Sequence, residues 1–263
     1  MPDPAHDFYL TGQDYDLISK GVPGDVDYFV RLAKKAKRVL ELASGTGRVS
    51  LSMAKAGAGV TGLELVPAML ECAREKAQSL DASIQKRLSF VKGDMRRFKL
   101  GEKFPLILIP FRAFQHLLEV KDQRNCLNSC RDHLAPQGRL VIDLFDPNLR
   151  ILSSHMQPGL PGPVIKTVVE SDPKCGQKIV VWTSRSLSPE RQVMREEWVL
   201  ERFGSDGNSV SRRLHQLTLR WFYRYEAQHL FELCGFKVVS LEGGFAGQPF
   251  AHGGEQLWTL ARA

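Results

Sequence analysis

Across residues 38–149, short apolar runs alternate with amphipathic stretches. The runs fall at 39–42, 60–64, 88–92, 106–109 and 139–143. A helix follows the first run at once, with Leu51, Met53 and Ala54 on its early turns, and Pro67 opens another where a missing N–H costs nothing. Residues 122–134 place Cys126, Leu127, Cys130 and Leu134 on one helical face, and Pro136-Gln137-Gly138 turns the chain into the next strand. Strands alternating with helices imply a parallel sheet. Residues 150–224 break that rhythm. A Pro/Gly-rich stretch at 158–163 is followed by strand-like alternation at 164–170, 178–186, 191–203 and 209–223. Turn signals at Asp172-Pro173, Ser188-Pro189 and 205–208 separate these segments, which read as an inserted antiparallel sheet. Helix–strand rhythm returns at 225–234, stopped by Gly235, with last strands at 236–241 and 256–261. The pattern divides the chain into a leading arm and helix (1–37), a core (38–149 and 225–263) and an inserted antiparallel sheet (150–224).

Chemistry enters at the strand ends. Val39-Leu40-Glu41-Leu42 runs into Ala43-Ser44-Gly45-Thr46-Gly47-Arg48, a turn of small residues leading to a helix N-terminus. Such a turn lets a ligand approach the backbone and meet free N–H groups. The spacing is not that of a dinucleotide site, because Ser50 fills the third small position only loosely and Arg48 and Val49 crowd the turn. Glu64 ends the second strand about 20 residues past the glycine turn, the distance at which a carboxylate reaches ribose hydroxyls. Gly93-Asp94 ends the third. Three strand-end acids therefore line the carboxyl edge, where open α/β sheets bind ligands. The unit reads as a nucleoside site.

With these motifs, residues 38–149 and 225–263 resemble the seven-stranded (class I) S-adenosylmethionine-dependent methyltransferases, of a small-molecule type with an inserted sheet. The resemblance implies a Rossmann-like, seven-stranded, mostly parallel sheet with helices on both faces and an antiparallel β lid. It implies S-adenosylmethionine as cofactor. Glu41 and the turn from Ala43 through Ser44, Gly45 and Gly47 to Arg48 would hold the methionine moiety, Glu64 the ribose, and Leu65 the adenine face. Asp94 and Met95 would meet the adenine edge. Ala43 stands where the family more usually has glycine, so ordinary φ/ψ is expected there. In similar enzymes a Tyr-Asp in the leading segment closes over the cofactor, which assigns Tyr15 to the cofactor and to catalysis. Plain hydrophobic docking of the arm is the alternative. His116 lies just past the fourth strand and resembles the general base of plant O-methyltransferases. Its alternative is a helix-start residue bonded to backbone.

The remaining candidates concern the acceptor. Arg112 is a contact for a carboxylate or phosphate, or else a surface ion pair. Arg220, Tyr223 and Arg224 belong to an aromatic and basic run that reads as a substrate-pocket wall or as core strand. Net charge of +7 keeps nucleic acid among the partners to consider. The basic residues are dispersed, however, and Ile109-Pro110-Phe111-Arg112 lacks the amide or acid that base-amino methylation commonly uses at this place. A nucleic-acid (RNA) methyltransferase and a non-catalytic cofactor-binding module are thus the rival readings. Cys126, Cys130 and His133 mimic a metal site, but no fourth ligand is apparent and core packing is preferred. The chemistry itself requires no metal. The five cysteines are scattered and odd in number, which reads as reduced thiols in a cytoplasmic protein. No apolar run reaches the roughly 20 residues that span a bilayer, and no secretory signal pattern is seen. The expectation is methylation of a small molecule, with an anionic group among the options, on nitrogen first and oxygen second. The insertion is also a candidate homodimer surface.

Overall fold

A computed structural model describes residues 12–154, 164–169 and 176–263. Phe8, Tyr9, the Pro/Gly-rich stretch 158–163, the Asp172-Pro173 turn signal and Cys175 lie outside the described residues. The chain separates into two compact units. One comprises residues 21–147 with 221–263, the other residues 1–20 with 148–220. The division between these units falls at Gly21, and Trp221 opens the return to the larger one.

The larger unit holds helix α2 (Asp25–Ala36) and then strands β1 (Arg38–Leu42), β2 (Gly59–Glu64), β3 (Leu88–Lys92), β4 (Phe104–Ile109) and β5 (Leu134–Phe145). Between them run α3 (Arg48–Lys55), α4 (Pro67–Gln78), α5 (Ala82–Gln85) and α6 (Val120–His133). Helix α8 (Arg224–Leu233) and strands β10 (Phe236–Glu242) and β11 (Glu255–Arg262) complete it. The seven strands form one sheet in the order β10-β11-β5-β4-β1-β2-β3. β1 to β5 pair parallel, and β11 returns antiparallel on β5.

Period-two alternation sorts the side chains onto two faces. Leu40, Leu42, Ile107, Ile109, Leu140 and Ile142 share one buried cluster with Leu127, Phe231 and Trp258. Val39, Leu106, Leu108 and Val141 join the other with Phe29, Val49 and Met53 from α2 and α3. Glu41 and Asp143 occupy positions of this second face, so two acids interrupt an otherwise apolar side of the sheet. Cys126 and Cys130 are buried in the first cluster. His133 accepts from the Leu100 N–H at 3.1 Å through Nε2 and meets the Ser129 carbonyl at 2.8 Å through Nδ1, so both ring nitrogens serve the backbone.

The smaller unit is a four-stranded antiparallel meander of β6 (Ile165–Val169), β7 (Lys178–Ser188), β8 (Val193–Phe203) and β9 (Ser209–Arg220). It also contains α1 (Gly12–Ile18) and α7 (Leu149–Ser154). Leu17 and Ile18 of α1 pack on Ile179, Val181 and Leu200. Asp14, 5% exposed, takes hydrogen bonds from Arg202 and, at 3.1 Å, from Arg213. A single carboxylate thus ties the short helix to two strands.

Candidate functional site

The carboxyl ends of β1, β2, β3, β4 and β5 share one edge of the parallel sheet, and the nucleoside motifs stand along it. Between β1 and α3, Ala43, Gly45 and Gly47 all have positive φ, at 53°, 57° and 81°. The left-handed conformation at Ala43 corrects the expectation of ordinary φ/ψ there, and it explains why glycine suits this position. A non-glycine residue in that region costs about 1–2 kcal/mol, while glycine gives back about 0.4–1 kcal/mol of that gain through unfolded-chain entropy. Ala43→Gly is therefore expected to stabilise the protein by about 0.5–1 kcal/mol. Urea unfolding checks this, and a loss of stability would show that the neighbours favour the strained form. Across from the turn, a Cβ on Gly62 would lie 2.8 Å from both the Ser44 Oγ and the Phe90 ring. The hydroxyl is buried without a hydrogen-bond partner among the described residues.

Glu64 fastens the turn to β2. Its Oε2 accepts the Gly45 N–H and its Oε1 accepts the Val66 N–H, both at 2.8 Å. A carboxylate has about four lone-pair directions, so these two bonds alone do not saturate it. Glu41 accepts a hydrogen bond from the Ser50 hydroxyl on α3. Burial pushes its carboxyl up to about 8; the Ser50 bond and the Arg48 charge oppose the shift, and the Glu64 charge adds to it. Leu65 follows directly and is half-buried. Met95 packs against the first core cluster. Asp94 is gripped by Arg96: the backbone N–H donates to Oδ1 at 2.8 Å, and the guanidinium reaches Oδ2 at 2.6 Å. Glu41, Ser44, Gly45, Gly47, Glu64, Leu65, Asp94 and Met95 therefore lie on one edge. The glycine turn, a buried acid at each of the first two strand ends and a third strand-end acid form a donor and acceptor set that fits an adenosine-bearing cation.

Arg48 opens α3 and pairs with α2. It donates from both terminal nitrogens to Asp25, at 2.9 and 2.6 Å, and its guanidinium lies 5.3 Å from the centre of the Phe111 ring. Asp25 is buried at the start of α2 and also accepts from Val26 N at 2.6 Å. The ion pair joins two helix starts to the turn after β4.

That turn was not foreseen. Phe111 and Arg112 follow one another at φ 51° and 64°, two non-glycine residues in the left-handed region, at about 1–2 kcal/mol each. Arg112 is committed inside the protein: it donates to Glu255 at 2.6 Å and stacks over Phe145. His116 ends the short 3₁₀ turn Ala113–His116 that follows, half-buried. Gln115 accepts the Phe145 N–H at 2.9 Å. One further pair escaped sequence reasoning. Asp146, just past β5, accepts from Gly253 N at 2.8 Å, from Gln256 at 2.7 Å and meets His252 Nδ1 at 2.9 Å. The only trace in the sequence was a pair of acids, Asp143 and Asp146, within an apolar run.

Tyr223 caps α8 and is exposed, as is Arg224, whose guanidinium stacks on Tyr225 and Phe250. Trp221 and Phe222 are both buried. Tyr15 and Arg220 belong to the smaller unit, on α1 and at the end of β9.

The sheet order is that of an open α/β fold, and comparison with known proteins narrows the class. Residues 39–138 match a family described as a methyltransferase domain. A methyltransferase structure from Streptomyces caelestis, CcbJ, shares the fold at a TM-score of 0.79, with 23% identity over 99% of each chain. The dTDP-3-amino-3,6-dideoxy-alpha-D-glucopyranose N,N-dimethyltransferase of Streptomyces fradiae is 29% identical over 91% of each chain. A mitochondrial ubiquinone biosynthesis O-methyltransferase of Schizosaccharomyces pombe is 31% identical, over 43% of this chain and 39% of its own. The matched domain and the likeness along the whole chain support a class I S-adenosylmethionine-dependent methyltransferase.

Proposed function

We propose that the protein methylates nitrogen on a small-molecule amine. The observation that carries this reading is the extent of the likeness. The amino-sugar N,N-dimethyltransferase aligns over 91% of this chain, whereas the O-methyltransferase aligns over 43%. The inserted unit, which we assign to acceptor recognition, therefore goes with the amine-modifying relative. S-adenosylmethionine supplies an activated methyl group on a sulfonium. The chain's own task is to hold an amine nitrogen with its lone pair in line and to exclude water, and orientation of this kind accounts for a large share of rate enhancement.

In this reading Glu64 holds the ribose, the glycine turn approaches the methionine moiety, and Asp94 with Met95 meets the adenine. Tyr15 and His116 stand as the candidate catalytic groups. An amine bound with its lone pair exposed makes little demand on a base, so His116 would matter more for a hydroxyl acceptor. Arg224, with Arg220 and Tyr223, is the candidate contact for an anionic part of the acceptor. A homodimer and a cytoplasmic location belong to the same proposal. Among the described residues no helix is long and apolar enough to cross a membrane.

The test is transfer of labelled methyl from S-adenosylmethionine to dTDP-linked 3-amino sugars and to matched 3-hydroxy sugars, with mass spectrometry locating the label. Label is expected on nitrogen. Labelling of the hydroxy sugars alone would move the reading to oxygen.

A further inference from the structure

Beneath the Phe111–Arg112 turn lies a pair of acids with no part in the chemistry described so far. Asp143 on β5 is wholly buried, and Glu255 on β11 has a side chain 14% exposed. β11 runs antiparallel to β5 with Leu257 opposite Asp143, so Glu255, two residues away, lies on the same face of the sheet. The two acids are electrostatic neighbours across the β5–β11 ladder. Each also holds one residue of the strained turn. Asp143 Oδ2 accepts the Phe111 N–H at 2.9 Å, and Glu255 Oε1 accepts from Arg112 at 2.6 Å. The inner oxygens, Asp143 Oδ1 and Glu255 Oε2, are buried and meet no donor from any other described residue. Ionised carboxylates are acceptors only, so two of them can bond only when one carries a proton.

We propose that Asp143 and Glu255 are positioning residues that share a single proton, and that this proton holds the Phe111–Arg112 turn in place beside the methyl-transfer site. The proposal rests on the reading of the carboxyl edge as that site. The turn leaves β4, the strand next to β1 and its glycine turn, and the Phe111 ring lies under the Arg48 guanidinium that opens α3. A shift of the turn would thus be felt on both sides of the reacting centre. The charged and titratable groups facing Asp143 are Glu255 from β11 and Arg112 from the turn, with the Phe111 amide beside them. Burial, followed by the Glu255 charge, pushes Asp143 up to about 8, against the pull of Arg112 and the Phe111 N–H. When the proton leaves to solvent, two carboxylates face one guanidinium, and their repulsion loosens both anchors of the turn.

Asp143→Asn separates this proton from mere packing. An asparagine Oδ1 can still accept the Phe111 N–H, and its Nδ2 can donate to Glu255 while the Arg112 pair persists, so the same bonds form without titration. A carboxyl raised in the folded state binds its proton there and releases it on unfolding. Its stabilisation is complete in the acid range and lost as pH rises to about 8. The folding equilibrium constant of the wild type should therefore fall, relative to D143N, by up to about tenfold per pH unit from about pH 5 to pH 8, then level off. Hydrogen exchange at the Phe111 amide, corrected for its intrinsic pH dependence, should lose protection in the wild type above about pH 8 and keep it in D143N. Asp143→Ala should lose that protection at every pH. The alkaline fall in methyl-transfer kcat of the wild type should also be missing from D143N. Parallel pH profiles for wild type and D143N, in unfolding and in exchange, would overturn the shared proton. Calorimetry with S-adenosylhomocysteine at neutral pH judges the site reading separately. A folded wild type that does not bind it would undo that reading, while unfolding and exchange would still decide the proton.

Discussion

Glu64→Ala is expected to weaken S-adenosylmethionine binding by about 1.5–3 kcal/mol, on the order of 10- to 150-fold in Kd. The figure is the usual worth of hydrogen bonds to a charged group, here those between the carboxylate and the ribose hydroxyls. The substitution has a second effect that the structure makes visible. Gly45 N–H and Val66 N–H both donate to Glu64, and losing their acceptor costs about 1–3 kcal/mol for each amide that stays dry. Affinity and stability should fall together. Glu64→Gln should be no milder for the fold, because a glutamine offers one acceptor oxygen and turns an NH₂ group toward the other amide. Calorimetry and urea unfolding on the same preparations read the two effects. A well-folded Glu64→Ala protein with unchanged affinity would remove Glu64 from the cofactor site.

Arg48→Ala should act on the fold first. Asp25 is nearly inaccessible, its side chain 4% exposed against 24% for Arg48. Removing the guanidinium leaves a buried carboxylate with only backbone N–H groups, a loss of about 3 kcal/mol, the low end for a broken buried pair because Arg48 is partly wet. Phe111 also loses its cation–π partner, which adds about 0.5–1 kcal/mol. The sequence assigned Arg48 to the cofactor; the bidentate pairing with Asp25 assigns it to the junction of α2, α3 and the turn after β4. The two roles give opposite results. A structural Arg48 predicts a lower unfolding midpoint with cofactor affinity largely kept in the folded fraction. Wild-type stability with lost affinity would restore the ligand role. Asp25→Asn in the Arg48→Ala background should recover part of the stability, since an asparagine oxygen still serves Val26 N–H and carries no charge.

Much of the larger unit was legible because its physics is local. Short strands read as apolar or alternating runs between turn signals and helices, and all seven strands of the large sheet stand where such runs occur. The acids Glu41, Glu64 and Asp94 could be placed on one edge because each ends its run. The four strands of the inserted sheet were visible from alternation and turn residues alone. What stayed hidden depends on distant partners or on backbone state. Nothing local indicates that Asp14 waits for Arg202 and Arg213, or that α1 therefore belongs with the insertion and α2 with the core. The left-handed turns at Ala43 and at Phe111–Arg112 are imposed on residues with no preference for them. Asp143 became meaningful only once the antiparallel register of β11 brought Glu255 to its side.

The anchoring of α1 has a consequence for how the chain is made. The arginine that clamps Asp14 lies 188 residues later, and its second partner lies 199 residues later. A seven-residue helix does not persist alone in water. At about 5–20 residues per second, synthesis leaves α1 waiting on the order of 10–40 s for its docking strands. During that time the methyltransferase core begins to form beside an unfolded leader with unburied leucine and isoleucine. This segment leaves the ribosome well before the strands that bury it and so folds late, and a chaperone that holds nascent chains would find its natural grip there.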